Sequence, residues 1–326
     1  MPIPVYALCL LALLAQSPPD LPPPPPLPEA AGGTTPVQNL VPGVLPEGTT
    51  PAARERWQKI LTASLPGESE RAPVTAFDLS IDLQYRASSA QTNDLPSARY
   101  QWLAPGYVRA DTGRSRVHLR GPKGSYLIDE SRSDRVEIVS LDVGRDNILE
   151  RRKLDEEAAV ASNFARLTDP HSIRMRRLTE LAGAPKILPE ALKEAAKRLA
   201  WLELESPDFY VMRPSSQQGA EMARVTLGVD VITNRVELVL LDDAGAPPAL
   251  TASTAALRLK NYKAVDGFQV PFEIAIWLPE QPPAEQRAAL VQWMSREAMV
   301  MWLKKAALRP ALKPEDFLPP TPTPPK

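Results

Sequence analysis

The stretch Leu257–Leu278, LRLKNYKAVDGFQVPFEIAIWL, decides the fold of this chain. Phe268, Val270, Phe272, Ile274, Ile276 and Leu278 share one parity; Gln269, Pro271, Glu273, Ala275 and Trp277 take the other. Period-two alternation puts successive side chains on opposite faces of a strand, so one face meets an apolar interior. Asp266-Gly267 suits positive φ and joins this strand to Leu257–Val265 as an antiparallel hairpin. Pro271 has no N–H to give a ladder, which predicts an edge strand or a kink there.

Working outward, the same alternation recurs on both sides. Upstream, Leu79, Ile81, Leu83 and Tyr85 alternate with polar residues; further strands carry Tyr100 and Trp102, then Val108. Arg116–Arg120, Tyr126–Asp129 and Arg135–Leu141 continue as a meander of short antiparallel strands. Before them, Thr50-Pro51 reads as an N-cap and N1 proline, with Trp57, Ile60, Leu61 and Leu65 on one helical face. The middle reads as three helices: one through Leu154–Phe164, one from Asp169-Pro170 to Gly183, and one opened by Pro189. Strands then resume at Trp201–Leu204, Phe209–Met212, Val225–Val231 and Val236–Leu240. Ala284–Leu308 fits helix and strand templates alike. Helix, strands, helices, strands is an α+β order, and a strongly curved antiparallel β-sheet (an incomplete barrel) covered by helices is one way to bury both.

The ends are of a different composition. Val5–Ala15 is an uncharged apolar run, too short to span a bilayer and of the length of a secretory h-region, so residues 1–16 read as a signal peptide. The only cysteine, Cys9, lies inside it, and Leu8 before it is too large for a lipidation motif. A mature chain without cysteine has no disulfide and fits an exported protein of a Gram-negative-type periplasm. Residues 17–51 are a proline-rich linker with an unbroken run Pro22–Pro26, and residues 319–326 are a similar tail; both are expected to be disordered. The domain is therefore expected over residues 52–318, with no transmembrane span in the mature chain. Lys plus Arg is 38 and Asp plus Glu is 39, a balance that argues against nucleic acid as a partner.

Catalytic constellations are hard to find. His118 and His171 are the two histidines; neither has a ligand-spaced partner, and the sequence has no HExxH, GxSxG or Walker loop. His118, between Arg116 and Arg120, reads as an exposed strand position. Gly121–Gly124, GPKG, joins two strands and opens no helix, so it reads as a turn rather than a phosphate loop. Asp155-Glu156-Glu157 near a helix start reads as a solvated, dipole-complementing run. No metal, cofactor or enzymatic reaction is expected. What remains is the apolar interior. Tyr85, Tyr100, Trp102, Tyr107, Trp277, Trp293 and Trp302, with Met294, Met299 and Met301, are candidates to line a lipid cavity, methionine being adaptable to variable acyl chains.

Several segments together resemble the LolA-like outer-membrane lipoprotein-sorting and carrier family. They are the opening helix, strand Phe77–Arg86, WLAPGYVRAD at Trp102–Asp111 and GPKGSYLIDE at Gly121–Glu130. VTLGVDVITNRVELVLLDDAG at Val225–Gly245, NYKAVDGFQVPFEI at Asn261–Ile274 and LRPALKPEDF at Leu308–Phe317 complete the set. The resemblance runs from about Trp57 to Phe317 and implies an incomplete antiparallel barrel, lidded by helices, around an apolar cavity. It also implies that Ala298–Leu308 is a last strand. It implies a non-catalytic periplasmic carrier of lipoprotein acyl chains or other lipids, with cavity-lining candidates Tyr85, Tyr100, Trp102, Phe268, Val270, Phe272, Ile274 and Ile276. The best-known members carry a gating arginine before the proline of the second hairpin; here that position is Ala104, and Arg109 beyond the Pro-Gly turn is the candidate for the cavity mouth. A different reading is an envelope module of the same fold that binds proteins and has no ligand cavity.

Overall fold

The computed structural model describes residues 40–65, 73–88, 91–104, 106–111, 116–130, 136–142, 148–211, 222–245, 255–279 and 293–320. The signal peptide, most of the proline-rich linker and most of the tail expected from sequence lie outside the described residues. Within the last part of that linker, Leu45 packs against the core and the Gly43 N–H donates to Ile173 O at 3.2 Å.

Helix α1 (Pro51–Ser64) opens as predicted: Thr50 Oγ1 accepts from the Ala53 N–H at 3.2 Å, and Pro51 fills the first turn where no donor is needed. Its buried face is Ala53, Trp57, Ile60 and Leu61. A first meander follows: β1 (Ala76–Ser88), β2 (Gln91–Leu103), β3 (Tyr107–Asp111), β4 (Arg116–Gly121), β5 (Gly124–Asp129) and β6 (Glu137–Ser140). Helix α2 (Ile148–Thr168) leads to a second meander: β7 (Arg177–Leu181), β8 (Leu199–Ser206), β9 (Ala223–Asp230), β10 (Val236–Asp243), β11 (Ala255–Val265) and β12 (Phe268–Trp277). The short α3 (Lys193–Ala196) lies between β7 and β8, and β13 (Met299–Leu308) ends the sheet-forming part.

All thirteen strands form one antiparallel sheet, in the order β6-β5-β4-β3-β2-β1-β13-β12-β11-β10-β9-β8-β7. The last strand is thus the keystone: β13 pairs with β1 on one side and β12 on the other, joining the two meanders. β6 and β7 stand at opposite edges, so the connection between them has to cross the sheet, and α2 is that crossing. Tyr100 on β2 and Leu241 on β10 line one cavity with α2. Five strand spacings separate β2 from β10, which in a flat sheet would be about 24 Å. The sheet is therefore strongly curved and unclosed, an incomplete barrel with α1 and α2 on its concave side, as the resemblance implied.

Both faces of the second meander are covered, which explains its nearly unbroken apolar runs. Val239, Leu241, Ile274, Ile276, Met299 and Met301 face the main core. Their neighbours Leu238, Leu240, Ala275, Trp277 and Val300 face outward, under Leu188, Leu192 and Ala196 of the segment around α3. A third cluster closes the outside of β3–β5, where Phe317 packs on Leu119 and Ile128.

Four expectations change. Residues 169–183 are not a helix: Pro170–Ser172 is a single 3-10 turn, and Arg177–Leu181 is the edge strand β7. The deciding pattern is Ile173 and Met175 buried in alternation with Arg174 and Arg176, which bind Asp208 at 2.6 Å and Glu205 at 2.5 Å. The helix expected after Pro189 is only a 3-10 turn at Glu190–Leu192 continuing into α3. Phe209–Val211 is not a strand, although Phe209 and Val211 are buried. Of the two alternatives for Pro271 the edge falls away: β12 is interior, and its ladder to β13 stops at Glu273↔Trp302, two residues from the proline. The ambiguous 284–308 segment resolves into β13, while residues 280–292 lie outside the described residues.

Candidate functional site

Under α2 the concave face leaves an apolar cavity. Its floor is Phe77, Leu79 and Ile81 of β1, with Ile274 and Ile276 of β12. Met299, Met301 and Leu303 of β13 continue it, and Leu241, Leu257 and Leu259 form the far wall. Its roof is Ala161, Phe164 and Leu167 of α2. Alternation aims the strand residues inward, and the stripe Ala158, Ala161, Ala165 lets the helix lie close to the sheet without filling the space. The cavity offers about 80 Å³ to the centre of a water-sized sphere.

The polar groups at the slot are few. Asn163 points its amide away to the strandless segment beside α2: its Nδ2–H donates to Tyr210 O at 3.0 Å and its Oδ1 accepts from the Tyr210 N–H at 2.7 Å. One end is closed by aromatic rings: Phe77 stacks on Trp102 at 5.4 Å and meets Phe164 edge-on at 5.4 Å. Beyond Trp102 a wider pocket of about 630 Å³ is lined by Ala104, Arg166, Asp169, His171 and Phe268. Asp169 is buried there with its Oδ2 accepting from the Val74 N–H at 3.1 Å, and burial pushes its carboxyl above the usual carboxylate range. Arg166 donates to Ser172 O at 3.1 Å, and Arg174 binds Asp208 through both its backbone N–H and its guanidinium.

The structure brings together part of the sequence-predicted set. Tyr100, Ile274 and Ile276 line the slot. Trp102, Phe268 and Val270 are buried in the same core, with Trp102 and Phe268 on the wall of the wider pocket. Phe272 is half-buried with the Lys263 ammonium 4.2 Å over its ring. The side chain of Tyr85 lies outside the described residues; its backbone pairs with Asn93 and Met299. Arg109 shares the parity of Tyr107 and Asp111, opposite the buried Val108 and Ala110, and pairs across the ladders with Gln101 and Leu119.

Of the further aromatic and methionine candidates, Met299 and Met301 reach the slot. Trp277, Trp293 and Trp302 belong to the outward cluster, and Tyr107 packs on Phe317 at 5.9 Å. Their parity carried the signal: Trp277 alternates with Ile276, and Trp302 with Met301. The roof residues of α2 went unmarked, because an alanine stripe with one Phe and one Leu looks like any packed helix.

His118 is not an exposed position: it is buried, with Nε2 3.0 Å from Glu150 Oε2. Gly121–Gly124 is the β4–β5 turn, as read from sequence, and Gly124 has φ 124°. The side chains of Asp155-Glu156-Glu157 lie outside the described residues. Among the described residues no three His, Cys, Asp or Glu side chains gather to hold a metal ion, and no helix is long and apolar enough to cross a membrane.

No family model and no curated protein matches the chain. Solved structures do resemble it. A domain named for outer membrane lipoprotein sorting, from Vibrio parahaemolyticus, is 11% identical with a TM-score of 0.35, covering 81% of this chain and 94% of its own. A DUF1329 family protein from Desulfovibrio piger is 10% identical with a TM-score of 0.40, covering 82% and 96%. A LolA superfamily protein from Nitrosomonas europaea is 14% identical with a TM-score of 0.39, covering 82% and 97%. At these values the functional reading rests on the strand order and the cavity of this chain alone.

Proposed function

We propose that this protein is a non-catalytic carrier, exported to the cell envelope, that holds an acyl chain of a lipid or lipoprotein in the slot under α2. The observation that carries the reading is an incompletely filled space lined by aliphatic side chains from five neighbouring strands and roofed by a helix. A slot of this kind has no use for a polar metabolite, because nothing inside it would replace the lost water hydrogen bonds. It suits an alkyl chain, each buried methylene contributing about 0.8 kcal/mol, which gives reversible rather than permanent binding. Tyr100, Ile274 and Ile276 act as the wall against which the chain lies.

Titration of the pure protein with a fluorescent fatty acid tests the reading. Saturable binding at one site is expected, displaced by unlabelled fatty acids with an affinity that rises with chain length until the slot is filled. The absence of saturable binding across a series of chain lengths sinks it.

A further inference from the structure

The wall of the slot is weakly joined where β12 meets β13. β12 and β13 pair only from Glu273↔Trp302 to Ile276↔Met299. Both strands run on, β12 back to Phe268 and β13 forward to Leu308, without a further pair between them. Beyond Trp302, β13 follows β1 instead: Ile81↔Leu303 is succeeded by Ser80↔Lys305, so Lys304 is an extra, bulged residue. On the other flank, β11 is irregular at Asn261, with φ 55°, between the pairs Lys260↔Glu273 and Tyr262↔Pro271. β12 and β13 are tied again only at the hairpin tip, where Asp266 Oδ2 accepts from the Leu308 N–H at 2.7 Å and Arg309 donates to Asp266 O at 2.8 Å.

Between the ladder and the tie lies a seam, and Pro271 sits in it with no N–H to offer. Pro271 has the parity of the outward residues Glu273 and Ala275, yet it lines the slot beside Leu303. The apolar space therefore reaches the seam.

We propose that this seam is a lateral entrance, through which a single unbranched alkyl chain slides into the slot while its polar head stays outside. The inference rests on the carrier reading. Parting β12 from β13 here breaks no ladder pair, whereas entry under α2 has to disturb the two Asn163–Tyr210 hydrogen bonds and the Phe77–Phe164 contact. Rings and chains with bulky branches would enter more slowly, because they require the two strands to part further.

The test staples the seam. Gln269→Cys and Ala307→Cys face one another if the β12–β13 register is carried past the bulge at Lys304; neither residue lines the slot, and Cys9→Ser removes the native thiol from the full chain. Stopped-flow mixing with a fluorescent fatty acid is expected to show association at least tenfold slower in the oxidised protein than in the same protein reduced, with the amount bound at equilibrium unchanged. Equal rates with the disulfide verified by mass overturn the proposal. If the thiols do not join, Pro271→Val decides: it restores a ladder donor and is expected to slow association, and an unchanged rate overturns the entrance. Failure of the wild-type chain to bind the probe at all defeats the carrier reading itself, before any seam variant is compared.

Discussion

Asp266 and Leu308 clasp the two meanders at the rim of the barrel: Asp266, itself at φ 49°, accepts the Leu308 N–H on its carboxylate at 2.7 Å. The aspartate of the Val-Asp-Gly turn thus does two jobs. It adopts a left-handed conformation that short polar residues tolerate, and it supplies an acceptor to the end of β13, which pairs there with β1 but not with β12.

Asp266→Ala is expected to lose both, at a cost of about 1–3 kcal/mol from the orphaned N–H and the positive φ. Asp266→Asn keeps an acceptor oxygen and the backbone tolerance and should cost less than half as much. Urea denaturation of the two variants checks the order.

Trp201 lies across Gly228 on the outer face of β8 and β9, its strand partner in register. A Cβ at position 228 would stand 2.9 Å from Trp201 Cη2 and 2.8 Å from Leu199 Cδ1. Gly228→Ala should therefore destabilise the domain by about 1–3 kcal/mol through overpacking, with a change in tryptophan emission. Denaturation followed by fluorescence measures both, and an unchanged midpoint would show that the outer cluster yields freely.

Ala161 lines the roof of the slot. Ala161→Leu fills it with three extra carbons. Fatty-acid affinity should fall at least tenfold while the melting temperature holds or rises, because the added carbons occupy space that is otherwise empty. A fall in stability together with intact binding would place the ligand elsewhere.

Asp169 and Asp78 should pull stability in opposite directions with pH. Burial raises the Asp169 carboxyl above its ordinary 3.8, so the folded state holds that proton more tightly than the unfolded chain. Its contribution is present at low pH and is lost as pH rises from about 3.8 through the folded value. The Arg99 hydrogen bond lowers the Asp78 carboxyl below 3.8, so its contribution is present above that value and lost as pH falls. Asp169→Asn keeps an acceptor for the Val74 N–H and removes the first dependence. Melting temperatures of wild type and variant should converge near pH 4, with the variant ahead at pH 7; parallel curves would rule Asp169 out as the source.

The strands were legible because alternation is a local property, strong in Leu79–Leu83, Val225–Val229 and Phe268–Leu278. β7 was not, because Ile173, Leu178 and Leu181 satisfy a helical template while Ile173 and Met175 satisfy an extended one; the ion pairs of Arg174 and Arg176 with distant carboxylates settle the contest. The strand order was equally hidden. Nothing near Met299–Leu308 says that its partners are β1 and β12, since pairing is chosen across the whole chain. The candidate slot was half legible for the same reason. Ile274 and Ile276 follow from parity, but the roof depends on where α2 crosses, which depends on β6 and β7 lying at opposite edges. Trp277 and Trp302 were attractive as large aromatics; their parity sends them to the other face, which a cluster around Leu192 covers.

The keystone position of β13 has a kinetic meaning. Phe77 and Leu308, partners in the sheet, lie about 230 residues apart in the chain, a separation that makes their meeting slow and late. Until the C-terminal strand arrives, β1 and β12 each present an open, apolar-flanked edge, the kind of surface on which incomplete chains associate. A chain cut short before Met299 would thus lack more than one strand of thirteen: its two halves would have no seam in common, and each would be left to aggregate or to be degraded.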